Sequence, residues 1–287
     1  MDIKIQHPTV VVTGASTGIG EATALELYRR GYVVFAGVRT ADAGNRLQAK
    51  SGGMLIPIIL DVTDAAQIAA AAEKVREKTG ENGLAGLVNN AGIAISSPLE
   101  IVPLADFRRQ LEVNVVGQLA MIQAFIPLLR KCQGRIVNIS SINGAIATPY
   151  LGPYAASKFA LEAISDALRI ELRHWGIKVI VIAPGAIKTP IWEKSTETTE
   201  KMTKSVSPEG MKLYETDLNA WRKMVLEVTR KADPVEKVVG KILLALASPR
   251  PRARYYLHFS QRYMCRGLKI LPESIRDWFV RLAMGLQ

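Results

Sequence analysis

Cysteine and histidine are scarce in this chain of 287 residues, which carries two of the first and three of the second. Cys132 and Cys265 stand far apart and show no metal or redox spacing, so each reads as a reduced packing residue. His7, His174 and His258 are scattered and offer no ligand pair, and no metal is expected. No apolar run is long enough to span a bilayer. A signal peptide does not fit, because the apolar run TVVVTG from Thr9 already behaves as a first strand. These absences point to a cytoplasmic protein. Acidic residues are thin at one end. From Arg250 to Gln287 eight Lys or Arg face two acids, a disproportionate share of the net charge of +11. Nucleic acid is an unlikely partner in physical terms, since no recognition motif accompanies the charge. A peripheral membrane contact through this basic tail suits the charge better.

What is present describes a packed domain. Hydrophobic residues make up 48% of the chain, enough for a buried core. The length sits near the upper limit for a single core, so one large domain is expected. Val10, Val11 and Val12 read as a short buried strand. Thr13-Gly14-Ala15-Ser16-Thr17-Gly18-Ile19-Gly20 follows, and helical periodicity begins at once. Strand, glycine loop and helix form the context that a dinucleotide phosphate site requires. The glycines allow close backbone approach, and the helix start offers free N–H groups to a pyrophosphate.

The second strand, YVVFAGVR, bears on the choice of nucleotide. An acid at its end would bind a ribose 2′-hydroxyl, but Val38, Arg39 and Thr40 stand there. A guanidinium suits a 2′-phosphate, so NADP(H) is the expected cofactor. A helix around 41–50 leads to a third strand, MLIPIIL, ending in Asp61-Val62. Asp64 caps an alanine-rich amphipathic helix over 64–79. Gly86-Leu-Val-Asn89-Asn90-Ala91-Gly92 reads as a fourth strand and its turn. A long helical region over 99–131 contains Asn114, whose polar side chain needs partners in so apolar a setting.

Residues 134–161 carry the most chemistry. An apolar strand with Ile136, Val137 and Ile139 ends in Ser140 and Ser141. A loop then leads to Tyr154-Ala-Ala-Ser-Lys158 at the head of a helix. Tyr154 and Lys158 stand at i and i+4, so phenol and ammonium lie on one face. A nearby cation is expected to lower the tyrosine pKa toward working pH, which would make it a general acid or base. Ile177–Ile182 is a further buried strand, and Asp233-Pro234 reads as a helix start, N-cap then N1. ARYYLH at 253–258 reads as the last strand.

The pattern TGxxxGxG, the NNAG turn and YxxxK, in one order, resembles the compact branch of the short-chain dehydrogenase/reductase family over residues 8–258. The resemblance implies an α/β Rossmann-type doubly wound parallel sheet of about seven strands in a single domain. It places the catalytic domain at 1–259 with a substrate lid at 190–232, and leaves 260–287 as a basic amphipathic extension. It implies a tetrad of Asn114, Ser141, Tyr154 and Lys158. Asn114 would distort its helix and hold a water linking Lys158 to solvent, and Ser141 lies thirteen residues before Tyr154. Ser140 would pack or hydrogen-bond locally. Cofactor contacts would come from Gly14, Ser16, Thr17, Gly18, Ile19, Gly20, Arg39, Thr40, Asp61, Val62, Asn90, Ala91, Gly92, Tyr154, Lys158, Pro184, Gly185, Ile187 and Thr189.

The long lid and the tail resemble the retinol and hydroxysteroid dehydrogenase group. That implies an apolar alcohol or carbonyl as the substrate. A 3-oxoacyl carrier-protein reductase is a second enzyme reading. A non-catalytic NADPH-binding regulator and a membrane-surface adaptor are readings of other classes. Pairing through 99–131 and 152–174 would give a homodimer or homotetramer. The tail itself reads as packed over the pocket or an interface, or as an amphipathic element on lipid.

Overall fold

The computed structural model describes residues 7–192 and 212–284. Seven strands form one parallel sheet in the order β3-β2-β1-β4-β5-β6-β7. They are β1 (Thr9–Val12), β2 (Val33–Val38), β3 (Ile56–Ile59), β4 (Gly86–Asn89), β5 (Arg135–Ile139), β6 (Lys178–Ala183) and β7 (Arg254–Tyr256). The order reverses between β1 and β4, and such a switch point opens a crevice at the carboxyl ends of the strands. The expected doubly wound α/β sheet is therefore present.

Continuous apolar runs make the inner strands because both faces of the sheet are covered. Val10 and Val12 point to one side, where they pack with α1 (Gly18–Arg29), α2 (Ala41–Lys50) and α8 (Val235–Ala247). Val11 points to the other, toward α3 (Ala65–Thr79), α5 (Gly117–Lys131) and α6 (Gly152–Glu171). The remaining α-helices among the described residues are α4 (Leu104–Leu111), α7 (Glu215–Arg230), α9 (Phe259–Ile270) and α10 (Glu273–Met284).

Three sequence expectations need correction. The helical region expected over 99–131 begins only at Leu104, after Pro103, and one wide π turn at Glu112–Val116 separates α4 from α5. Taken end to end, Leu104–Lys131 is long and apolar enough to cross a membrane, against the expectation that no such segment exists. Its apolar side is used within the fold, since Met121, Ile122, Phe125 and Leu129 are fully buried. Pro234, not Asp233, caps α8, and the Asp233 carboxylate instead pairs with His258 and Lys237, each at 2.6 Å. Of the stretch expected as a lid, residues 193–211 lie outside the described residues, as do 285–287 of the tail.

A polar chain crosses the middle of the core beneath the crevice. Asn89 Nδ2 donates to Asn138 Oδ1 at 3.1 Å, and Asn138 Nδ2 donates to Ser165 Oγ on α6 at 2.8 Å. Asn138 is fully buried. Truncating it strands a donor and an acceptor in the interior, which costs about 2–3 kcal/mol. Asn138→Ala is therefore expected to lower the urea midpoint of unfolding by that equivalent, with an unchanged denaturant slope.

Candidate active site

The crevice is floored by a close approach of two strand ends. The Thr13 hydroxyl accepts the backbone N–H groups of Asn90 and Ala91, both at 2.9 Å. Asn90 Nδ2 returns hydrogen bonds to the carbonyls of Thr13 and Gly14. Side chains would break this contact. A Cβ on Gly14, where φ is +63°, would lie 2.8 Å from the Ala91 backbone, and one on Gly20 would lie 2.3 Å from the Gly14 carbonyl. Thr17 precedes α1 without a side-chain cap, so the first N–H groups of the helix keep no side-chain partner. A glycine cradle and an uncapped helix start fit a dinucleotide pyrophosphate.

A cleft of about 580 Å³ runs from this loop along the carboxyl ends of the sheet. Gly14, Ser16, Thr17, Gly18, Ile19, Arg39, Asp61, Val62, Asn90, Ala91, Gly92, Ser141, Tyr154, Lys158, Pro184, Gly185, Ile187 and Thr189 line it. Three residues named from the sequence do not. Thr40 caps α2, accepting the Ala43 N–H at 3.3 Å. Gly20 sits behind the loop against the Gly14 carbonyl. Asn114 is buried in the π turn, where it donates to the Ile93 carbonyl and Ser157 Oγ and accepts the Ile93 N–H.

Other residues reach the cleft that sequence reasoning missed. Arg108, Arg109, Glu112 and Val113 line it from α4 and the π turn. Glu112 and Val113 directly precede Asn114, and Arg108 and Arg109 lie one to two turns ahead of it, but spacing alone assigns none of them to a cleft. At the nucleotide end, burial works to raise the Asp61 pKa. The Thr63 N–H and hydroxyl, with Arg39 and Arg109 beyond, nevertheless hold its carboxyl below the usual carboxylate range. Asp61 thus begins a turn, accepting from Thr63 N at 2.9 Å, and also lines the cleft.

At the opposite end Ser141, Tyr154 and Lys158 converge. Ser141 caps a short turn by accepting the Asn143 N–H at 3.1 Å, and its hydroxyl also bonds Tyr154. Lys158 lies 5.6 Å from the Tyr154 ring centre and donates to the Ile139 carbonyl at 2.8 Å. Burial pushes the Tyr154 phenol up to about 12, with the Ser141 hydrogen bond acting against it. This corrects the expected fall. Desolvation of the phenolate is the dominant cause, because burial penalises the charged form. Burial brings Lys158 down to about 8, with Glu162 acting the other way. The neighbouring Ser140 is buried and also lines the cleft, and its hydroxyl has no hydrogen-bond partner.

Ser141, Tyr154, Gly185 and Trp192 also line a second, mostly apolar cavity of about 150 Å³. Its walls include Leu151 and, from α7, Trp221, Met224, Val225 and Val228. Two hydrogen bonds hold α7 in place: Trp221 Nε1 donates to Ser96 Oγ at 2.9 Å, and the Tyr150 hydroxyl donates to Asp217 at 2.7 Å.

The sequence matches the family described as short chain dehydrogenase over residues 8–200. It is 35% identical to the NADPH-dependent 3-dehydrocapnine reductase of Ornithobacterium rhinotracheale, over 93% of this chain and 94% of that protein. It is also 35% identical to the 17-beta-hydroxysteroid dehydrogenase type 6 of Bos taurus, over 96% of this chain and 88% of that one. Among solved structures, a short chain dehydrogenase from Burkholderia cenocepacia in complex with NADP superposes with a TM-score of 0.72. The two are 26% identical over 94% of this chain and 96% of that one.

The depressed Lys158 pKa has a consequence for stability. Its folded value of about 8 lies below the 10.5 of an unperturbed lysine. The unfolded chain then binds more protons between those values, so this group makes stability rise with pH across that window. Below about pH 8 the cost of burying the ammonium is fully present. Lys158→Met is therefore expected to be more stable than the parent at pH 7. That advantage should shrink by on the order of 2–3 kcal/mol by pH 10, as read from urea unfolding at each pH.

Proposed function

We propose, from the premise that the chain belongs to the short-chain dehydrogenase family, that it is an NADP(H)-dependent oxidoreductase interconverting an apolar alcohol and its ketone or aldehyde. One observation carries the reading. Ser141 and Tyr154 lie at the junction of a cleft of nucleotide dimensions and an apolar cavity, and line both. A carbonyl entering from the apolar side would meet two hydroxyls beside the space left for a nicotinamide.

The cofactor when bound supplies a hydride to the carbonyl carbon. Gly14, Ser16, Thr17, Gly18 and Ile19 would hold the pyrophosphate, Asp61 and Val62 the adenine, and Arg39 the 2′-phosphate. Asn90, Ala91 and Gly92, with Pro184, Gly185, Ile187 and Thr189, would border the ribose and nicotinamide. Relatives support NADP(H): one reductase is named as NADPH-dependent, and one solved short chain dehydrogenase is in complex with NADP.

Tyr154 acts as the general acid in reduction. A phenol held neutral by burial keeps its proton until negative charge develops on the substrate oxygen, and then gives it up. In oxidation it takes the proton back. Ser141 hydrogen-bonds the same oxygen and Tyr154, fixing the substrate within reach. Lys158, anchored on the Ile139 carbonyl, would hold the ribose and stabilises the phenolate once it forms. Asn114 acts through the polar contacts of the π turn and supports the proton path to Lys158. The residues of α7 give the substrate side its apolar walls. The apolar character of these walls, and the relative named for a hydroxysteroid, support a steroid- or retinoid-like substrate.

The direct test follows NADPH consumption, with NADH as control, against steroid ketones, retinaldehyde and long-chain aldehydes. Turnover of an apolar carbonyl with NADPH supports the reading, and preference for NADH or for charged carbonyls overturns it. Tyr154→Phe is expected to lower kcat by about 10²–10⁴ while NADPH affinity, read by fluorescence titration, stays near the parent value. Arg39→Asp is expected to weaken NADPH about 10–100-fold and leave NADH much less affected, because it removes one charge-assisted contact and adds repulsion.

A further inference from the structure

We propose that the C-terminal helix pair α9–α10 docks on an anionic lipid surface. The observation is an amphipathic helix with apolar residues on both sides. Toward the protein, α10 places Val280 and Met284 in a cluster with Trp221, Met224 and Val225. On its other side Ile275, Trp278, Phe279 and Leu282 fall at i, i+3, i+4 and i+7, one continuous face. They are 43%, 56%, 45% and 63% exposed. The preceding helix repeats the arrangement. Phe259, Tyr263 and Ile270 of α9 are exposed along one stripe, with the first two rings 4.5 Å apart.

Charge decides the occupant. At helical spacing Arg262, Arg266 and Lys269 flank the α9 stripe on one side. The only acids of the pair, Glu273 and Asp277, already face Arg276 at 3.8 and 3.6 Å. A second copy docked on this face would bring like charges together, because a two-fold contact is self-complementary. Anionic headgroups neutralise the arginines instead, and aromatic rings with short apolar faces suit the headgroup boundary. The inner side of α10 packs against the same α7 residues that wall the apolar cavity. Docking thus brings lipid within about one helix diameter, ~10 Å, of the substrate side. That last link rests on the apolar-substrate reading above; the docking does not.

The test is sedimentation of the full chain with vesicles of phosphatidylcholine alone or mixed with phosphatidylglycerol, at low and high salt. Binding is expected only with phosphatidylglycerol and is expected to weaken with salt. Two variants separate the contributions: Trp278→Glu with Phe279→Glu, and Arg262→Glu with Arg266→Glu and Lys269→Glu. Each is expected to cut the bound fraction about tenfold or more. The charge variant leaves every apolar contact in place, so it reports even where the first fails to fold. NADPH-dependent turnover of a water-soluble carbonyl is expected to be unchanged in both, which distinguishes failure of docking from failure of the proposed reaction. Equal binding to neutral vesicles, or variants that sediment like the parent, would overturn the proposal. So would a dimer that the aromatic variant splits without any vesicle binding, since a second copy would then cover the face.

Discussion

A polar seam down the buried face of α6 constrains everything near the site. Ser157, Lys158, Glu162 and Ser165 recur at helical spacing, and all are buried. Each is tied to a different neighbour. Ser157 accepts from Asn114 in the π turn, Lys158 donates to Ile139 at the end of β5, and Ser165 accepts from Asn138 within the strand. Glu162 receives Arg254 from β7 at 2.7 Å. Apolar packing alone would let a helix slide or rotate by fractions of a turn at small cost. Buried hydrogen bonds with fixed partners do not, because a slipped register leaves several groups unpaired at once. The seam therefore sets the height and rotation of α6, and with them the position of Tyr154 one turn above Lys158.

The same logic explains which parts of the fold were legible in the sequence. Strands buried on both faces announce themselves as runs of Val, Ile and Leu, and the glycine loop followed by helical periodicity marks its own geometry. The contact between Thr13 and Asn90 was not read from the sequence, since only the parallel order of β1 and β4 brings their ends together. The wide turn at Asn114 was legible only through family resemblance, since spacing alone predicts an unbroken helix. Arg109 was not legible at all. It reaches the nucleotide end from a helix that periodicity assigns to the sheet's cover, and only the three-dimensional placement of α4 brings it near Arg39 and Asp61. Thr40 lies just off the cleft lining for a local reason. Its side chain satisfies the first turn of α2, a local demand that competes with any contact to a ligand.

Electrostatics was the least legible layer. The i, i+4 placement of Lys158 and Tyr154 is correct as geometry, yet the tyrosine shifts upward because both groups are dehydrated together. Sequence spacing gives distance along a helix face and says nothing of how much water is lost. Here desolvation dominates both shifts, upward for the phenol and downward for the ammonium. Both therefore favour the neutral forms. A neutral phenol beside an amine near its own pKa needs little reorganisation to exchange a proton with a substrate oxygen.

The substrate side is built on a different principle from the nucleotide side. The nucleotide end relies on backbone close approach, which tolerates no side chain at Gly14 or Gly20 and so fixes one shape. The apolar end relies on α7, held by the two side-chain bonds from Trp221 and Tyr150 and backed by Val280 and Met284 of α10. Tyr150 holds its bond to Asp217 from a left-handed backbone, φ +63°, a conformation that costs a non-glycine residue about 1–3 kcal/mol. That cost is offset by contacts made with α7 and α10, two elements far along the chain. Cavity shape on this side thus depends on segments outside the motifs of the first 190 residues. One sheet and one polar seam keep the reacting groups in place, while changes in α7 and α10 can alter the size and polarity of the cavity without moving Tyr154.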